Sequence, residues 1–381
     1  MRVPLLLIRS LLAVAAMFVA APSDAQTPDE PTAVSASDTA ARGRTSRELR
    51  TRFVRDQTIL GFAVYGPSFA AMVADDGVTG GAAYLVMAGG SFFASAELSR
   101  RMQITEARQL LSSAMAWRTA GAALAFSASA DAGGRQVGAW TLLGGVTGTG
   151  VGLALGKGLT GGEAAATVFG HDFAAMSALA AVTIIDGGLF VEDDGITDEG
   201  TVALAAVAGA LGYAAGRTYA GRAKHNVTVG DVQTMWIGAT IGALGASTAI
   251  ASSDPNDATI AGTLLAGSAL GVLASERWLV RRYDHTRYEG NLLALGGTAG
   301  ALMGIGIGIL VAGEADRGES LTLGFATAGA IGGVAMTERY LQPTRDRGRL
   351  AFLERVQFTP MSAVAAASGR PGNYPLLHFT F

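Results

Sequence analysis

Three residues stand where charge is expensive. Arg118, His171 and Asp172 sit inside otherwise apolar runs, and aligning those runs on their small residues puts Thr119, Asp172, Thr240 and Thr298 at one level, with Arg118 and His171 beside it. An ionisable group in such a run marks a functional site or a buried partner, because unpaired charge away from water is strongly penalised. The expected arrangement is an Arg118–Asp172 ion pair joining neighbouring segments. Such a pair has two uses: it fixes the register of the elements that carry it, or it holds a proton on a transport path. Fixing register is the simpler role. His171 reads as a packed or partner-bound histidine, because a metal site needs several ligands at set spacing.

Other chemistries lack their residues. The chain has four His and no Cys, with no HxxxH or HxxE pair, so no metal and no thiol chemistry is expected. The acidic turn Glu192 to Glu199 does not follow the twelve-residue calcium loop, and Thr197 within it fits a helix cap better. Gly144 to Lys157 is glycine-rich, but Gly158 follows the lysine where a phosphate loop needs a hydroxyl. No GxSxG elbow occurs. The expectation is a non-enzymatic protein without a cofactor.

The elements that must position the three charged residues repeat along the chain. Thr228-Val229-Gly230-Asp231 has the spacing of a capping box, in which the Thr hydroxyl and the acid each satisfy a backbone N–H of the first turn. The stretch from Val232 to Ser252 is uncharged and carries Gly238, Gly242 and Ala246 four apart, on one helical face. Asp254-Pro255-Asn256-Asp257 turns the chain, and a return run with Gly267 and Gly271 ends at Glu276, Arg277, Arg281 and Arg282. Thr286 to Glu289 starts the plan again, with Gly296, Gly300, Gly304 and Gly308, a turn at Glu314 to Glu319, and a return through Gly324, Ala328 and Gly332 to Arg339.

Three looser copies precede these. Thr45 to Glu48 has the box, and its run is expected to kink or break at Gly66-Pro67 before turning at Asp75-Asp76-Gly77. The second copy starts near Thr105-Glu106 without the box spacing and returns through Gly144, Gly148, Gly152 and Gly156. Thr160-Gly161-Gly162-Glu163 opens the third. The Thr anchors at 45, 105, 160, 228 and 286 recur at roughly 60 residues, so residues 45–341 read as five repeats of two helices each.

Half of the 381 residues are hydrophobic and 15% are charged, against about 25% charged in soluble domains. The net charge of −3 offers no clustered basic footprint for nucleic acid. The apolar runs are near the roughly 20 residues a helix needs to cross a bilayer. Glycine costs about 1 kcal/mol against alanine in an exposed helix, so its repetition requires a return. Between helices already in lipid that return is close van der Waals contact, within one chain or between copies in a homo-oligomer. The fold expected is mainly α: about ten small-residue-packed helices in five hairpins, with a lipid bilayer as partner. The rival is an outer-membrane β-barrel pore or transport protein, whose strands of about 9–11 residues would alternate in and out.

The ends differ from the middle. Residues 1–25 read as a secretory signal: Arg2 and Arg9, an apolar core from Leu11 to Ala21, and Ser23-Asp24-Ala25 as cleavage site. Residues 26–44 read as a disordered leader. In 342–381, Leu350 to Ser362 and Tyr374 to Phe381 read as a short β hairpin around Ser368 to Asn373. Phe379 and the final Phe381 resemble the terminal signal of bacterial outer-membrane proteins, with Pro375 interrupting the alternation. The repeats at 45–341 resemble uncharacterised Gly/Ala-rich helical-hairpin envelope proteins of Gram-negative bacteria, a likeness that implies no specific activity.

Charge sorts by side. The connections between hairpins hold Arg100, Arg101, Arg217, Arg222, Arg281 and Arg282 among other bases, whereas the turns inside hairpins hold Arg135 and Arg317 amid acids. For an inner-membrane protein the basic side faces the cytoplasm. A cleaved signal would put the first connection, with Arg47 and Arg50, on the opposite side. Placement in the outer membrane removes that conflict. So does the plainer view that acids start helices and bases end them, matching the macrodipole.

Overall fold

The computed structural model describes residues 37–74, 76–186, 198–312 and 318–342, with two further short segments at 356–358 and 377–379. Among these residues the chain is mainly helical, with ten long helices. Helix α1 covers 37–73 and includes a π turn at Gly61–Tyr65. It is followed by α2 (Gly77–Arg101), α3 (Glu106–Ser129), α4 (Gly134–Leu155), α5 (Gly161–Asp186), α6 (Asp198–Arg222) and α7 (Val229–Ile250). Helix α8 covers Asp257–Val280, its last turn a π turn, and α9 (Arg287–Ala312) and α10 (Gly318–Leu341) complete the set. The segments expected to be helices are therefore helices, and the barrel reading of 45–341 is overturned: no strand lies in that range among the described residues.

Local chemistry explains where the helices start. Thr160 with Glu163, Thr228 with Asp231 and Thr286 with Glu289 form reciprocal capping boxes, with hydroxyl and carboxylate bonds between 2.7 and 3.2 Å. Asp76 and Asn256 cap α2 and α8 by accepting from Thr79 N and Thr259 N. Thr105 accepts from Arg108 N at 3.3 Å, a one-sided cap, because Arg108 occupies the position where a box would hold an acid. Two boundaries depart from the sequence reading. Helix α1 begins at Ser37, so the Thr45 box falls within it and the leader expected over 26–44 is helical from residue 37. Gly66-Pro67 does not break the helix either. The Gly66 N–H reaches back five residues to Gly61 O, and this wider turn makes room for the Pro67 ring.

Pairs of consecutive helices close into hairpins through glycine. A methyl group on Gly144, Gly148 or Gly152 of α4 would collide with α3 backbone at Thr119, Met115 or Leu111. Gly238 and Gly242 of α7 lie against Gly271 and Gly267 of α8. Gly296, Gly300 and Gly304 of α9 meet Gly333, Gly329 and Phe325 of α10 in the same way. With no side chain between them, the two backbones touch directly, which gives contact without any large buried residue.

Hairpins join through their first helices. Each of α1, α3, α5 and α7 packs on the first helix of the next hairpin and also on that hairpin's second helix. At their N-terminal ends α3, α5, α7 and α9 close on themselves. Gly161 faces Glu106, Gly162 lies against Val227 and Thr228, Gly230 against His285 and Thr286, and Arg287 Nη1 returns to within 3.8 Å of Glu106 Oε1. Helix α1 joins this end through Asp56, which accepts from Gln109 at 2.5 Å, and through Phe53 packed with Ile104.

Outside the helices, Val356–Phe358 pairs antiparallel with Leu377–Phe379, Val356 opposite Phe379. The remainder of the hairpin expected over 350–381, the terminal Phe381, the signal at 1–25 and the acidic turn around Glu192 lie outside the described residues.

Candidate functional site

The site anticipated from sequence assembles at the seam between the second and third hairpins. The Thr105 cap and the Thr160 box fix the starts of α3 and α5, which places Arg118 and Asp172 about halfway along their helices. Arg118 Nε donates to Asp172 Oδ1 at 2.5 Å, and Nη2 donates to Asp172 Oδ2 in a side-on pair. The remaining guanidinium nitrogen, Nη1, donates to Ala114 O at 2.7 Å, one turn back on its own helix. His171 Nδ1 lies 3.1 Å from Asp172 Oδ1, so one carboxylate serves both bases.

Helix α6 covers the other side of the histidine. Gly209 opposes the imidazole, where any side chain would strike it. One turn further, the Tyr213 ring sits 4.8 Å from the His171 ring. The Tyr213 hydroxyl is buried and has no hydrogen-bond partner among the described residues. Sequence reasoning did not single out Tyr213 or Gly209. Each lies one residue beyond the small residues Ala208 and Gly212, so neither belongs to that four-residue series, and their opposition to His171 depends on the packing angle.

The side chains of Arg118 and Asp172 each keep 24% of their surface accessible, and His171 17%. The pair is thus mostly enclosed without being sealed. Its chemistry is that of a charge-neutral pair with an adjacent imidazole, capable of fixing helix register and of taking up a proton. At the corresponding level of α7 and α9 the residues are Ala239-Thr240 and Gly297-Thr298, none of them charged. The ion pair therefore belongs to this seam and not to the repeat as such.

A second charged cluster, absent from the sequence reading, closes the seam between the fourth and fifth hairpins. Its centre is His285, in the connection between α8 and α9. His285 Nδ1 is 3.1 Å from Asp231 Oδ1, Nε2 is 3.0 Å from Glu338 Oε2, and the His285 backbone N–H also donates to Asp231 Oδ1 at 3.0 Å. Asp231 Oδ2 meanwhile accepts from Thr228 N in the capping box, and the Thr228 hydroxyl donates to His285 O. Asp231 is fully buried, with His285 3% and Glu338 7% exposed.

Burial alone would depress the His285 pKa, but hydrogen bonds to Asp231 and Glu338 outweigh it and raise the value to about 9. Both ring nitrogens face carboxylates, so the imidazolium is the form that satisfies all three groups. Asp231 had been read only as a capping acid. One signal for the rest was present: Glu338 is an acid in the last turn of α10, where the helix dipole favours a base.

Among the described residues no group of His, Cys, Asp and Glu side chains is arranged to hold a metal ion. No known protein family matches the chain, and no match was found among curated proteins or solved structures.

Proposed function

We propose that this chain is an integral membrane protein of the bacterial envelope, non-enzymatic and structural or pore-like in role, with the outer membrane as its site. One observation carries the reading. Six described helices, α2, α4, α5, α8, α9 and α10, are long and apolar enough to cross a membrane, and their windows are only 6–33% buried within the chain. Large apolar side chains point outward, among them Leu85 (65% exposed), Phe93 (71%) and Leu310 (85%). Water penalises a continuous surface of this kind, whereas a bilayer accommodates it. Glycine-lined contacts support a role in assembly, within the chain or between copies in a homo-oligomer. The outer-membrane assignment rests on the secretory signal read at residues 1–25 and on the sorting of basic connections from acidic turns.

Fractionation of cells producing the full chain tests this reading. The account expects the protein in the outer-membrane fraction after high-salt and urea washes, with its N-terminus beginning near Gln26. Recovery in the soluble fraction would overturn the membrane reading, and recovery in the inner membrane would overturn the location.

The mostly enclosed but still accessible Arg118–Asp172–His171 cluster favours a second reading, a proton-coupled transporter. Polar groups at mid-span face an aqueous path or a partner. In liposomes this reading expects a pH-driven flux that Asp172→Asn abolishes while the helical spectrum stays unchanged. Flux unaltered by that substitution would exclude it.

A further inference from the structure

A groove runs between α8 and α10 with α7 as its floor, enclosing about 850 Å³. We propose that it binds one acyl chain of an anionic phospholipid, whose phosphate is held by Arg277 and Arg282; this rests on the membrane reading above. Ile241, Leu270, Trp278 and Ile331 supply much of the surface, so the groove offers a free polar metabolite few hydrogen bonds.

Glycine here has a different use from that in the hairpin contacts. Gly238 and Gly242 are required by backbone contact with α8. A Cβ on Gly245 would meet only Thr327 Cγ2 at 3.5 Å, and one on Gly262 only Ile184 side-chain carbons from 3.6 Å. Nothing in the helix packing forbids side chains at these two positions. Their absence keeps the groove open.

Charge decides the occupant. At the end of α8 Ser275, Trp278 and Leu279 line the groove, and Glu276, Arg277, Arg281 and Arg282 flank them along the chain without lining it. Arg281 is neutralised by Glu276 at 2.7 Å. Arg277 and Arg282 are exposed, and among the described residues neither is ion-paired. Trp278, 61% exposed at that end, has the amphipathic ring that settles at a membrane interface. Bases beside an apolar surface select anionic lipid. A second copy of the chain, inserted in the same orientation, would instead bring the two basic ends together, which like charge disfavours.

Native mass spectrometry of the detergent-purified full chain, offered phosphatidylglycerol or phosphatidylcholine of identical acyl chains, tests this. One phosphatidylglycerol should be retained with a preference of roughly tenfold or more. The double variant Arg277→Gln/Arg282→Gln should lose the preference, and Gly245→Leu should lose retention of both lipids with its circular dichroism unchanged. Equal retention of the two lipids by the wild-type chain would overturn the proposal, as would undiminished retention by Gly245→Leu. A lipid-independent dimer that Gly245→Leu abolishes would assign the groove to a second copy instead. Failure of the membrane reading looks different: the chain would then be soluble without detergent.

Discussion

The two charged clusters clasp similar seams at different depths, and they differ in how far each is closed off from its surroundings. Asp231, His285 and Glu338 join the start of α7, the connection before α9 and the end of α10, and water is almost wholly excluded from them. Arg118, Asp172 and His171 join α3 to α5 at mid-helix and remain partly accessible. The first cluster recruits backbone groups and a helix cap, so losing one member strands several polar atoms. The second is nearly self-contained, satisfied by one carboxylate and one carbonyl.

The largest effect should come from Asp231→Ala, which removes the acceptor for the His285 ring, the His285 N–H and the Thr228 N–H. Breaking such a buried cluster costs about 3–5 kcal/mol, and thermal unfolding in detergent should register it. A smaller loss would place Asp231 among ordinary caps and erase the contrast.

Next in size is the pH response. The folded His285 pKa of about 9 lies above its ordinary 6.5, so its contribution is complete below pH 6.5 and fades as pH rises through 9. The whole swing is roughly 3 kcal/mol. His285→Gln should flatten the slope of stability against pH over that window, and an unaltered slope would assign it to other groups.

Asp172→Asn should cost less, about 1–3 kcal/mol, because the pair keeps 24% of its surface accessible and loses charge rather than all its hydrogen bonds. The double variant Arg118→Met/Asp172→Leu should recover much of that loss, since a well-packed apolar pair replaces an ion pair with little penalty. If the double variant is less stable than Asp172→Asn alone, the pair is as much a clasp as the His285 cluster. The smallest change expected is Thr105→Ala, at about 1 kcal/mol for a one-sided cap. Thr228→Ala should exceed it in the same assay, because Thr228 also holds His285 O.

How much of this was legible depended on whether the information was local. Glycine at every fourth position and the Thr-x-x-acid boxes are short-range patterns, so four of the hairpins could be read directly; the Thr45 box, lying within α1, is the one that marks no helix start. Arg118 and Asp172 could be paired because both sit at corresponding depths in consecutive repeats. His285 and Glu338 could not. They lie 53 residues apart, belong to no motif, and meet only because α10 packs on α7. Pro67 misled because its usual effect assumes a regular α turn, and the π turn before it removes the clash. Glu163 and Arg108 occupy equivalent places, yet only the acid completes a box. The start of α3 was accordingly the harder one to place.

Oriented circular dichroism of the protein in stacked lipid bilayers reports helix content and helix direction together. A helical signal with the helices aligned along the bilayer normal is expected. Helices lying in the membrane plane, or a spectrum dominated by β structure, would contradict it.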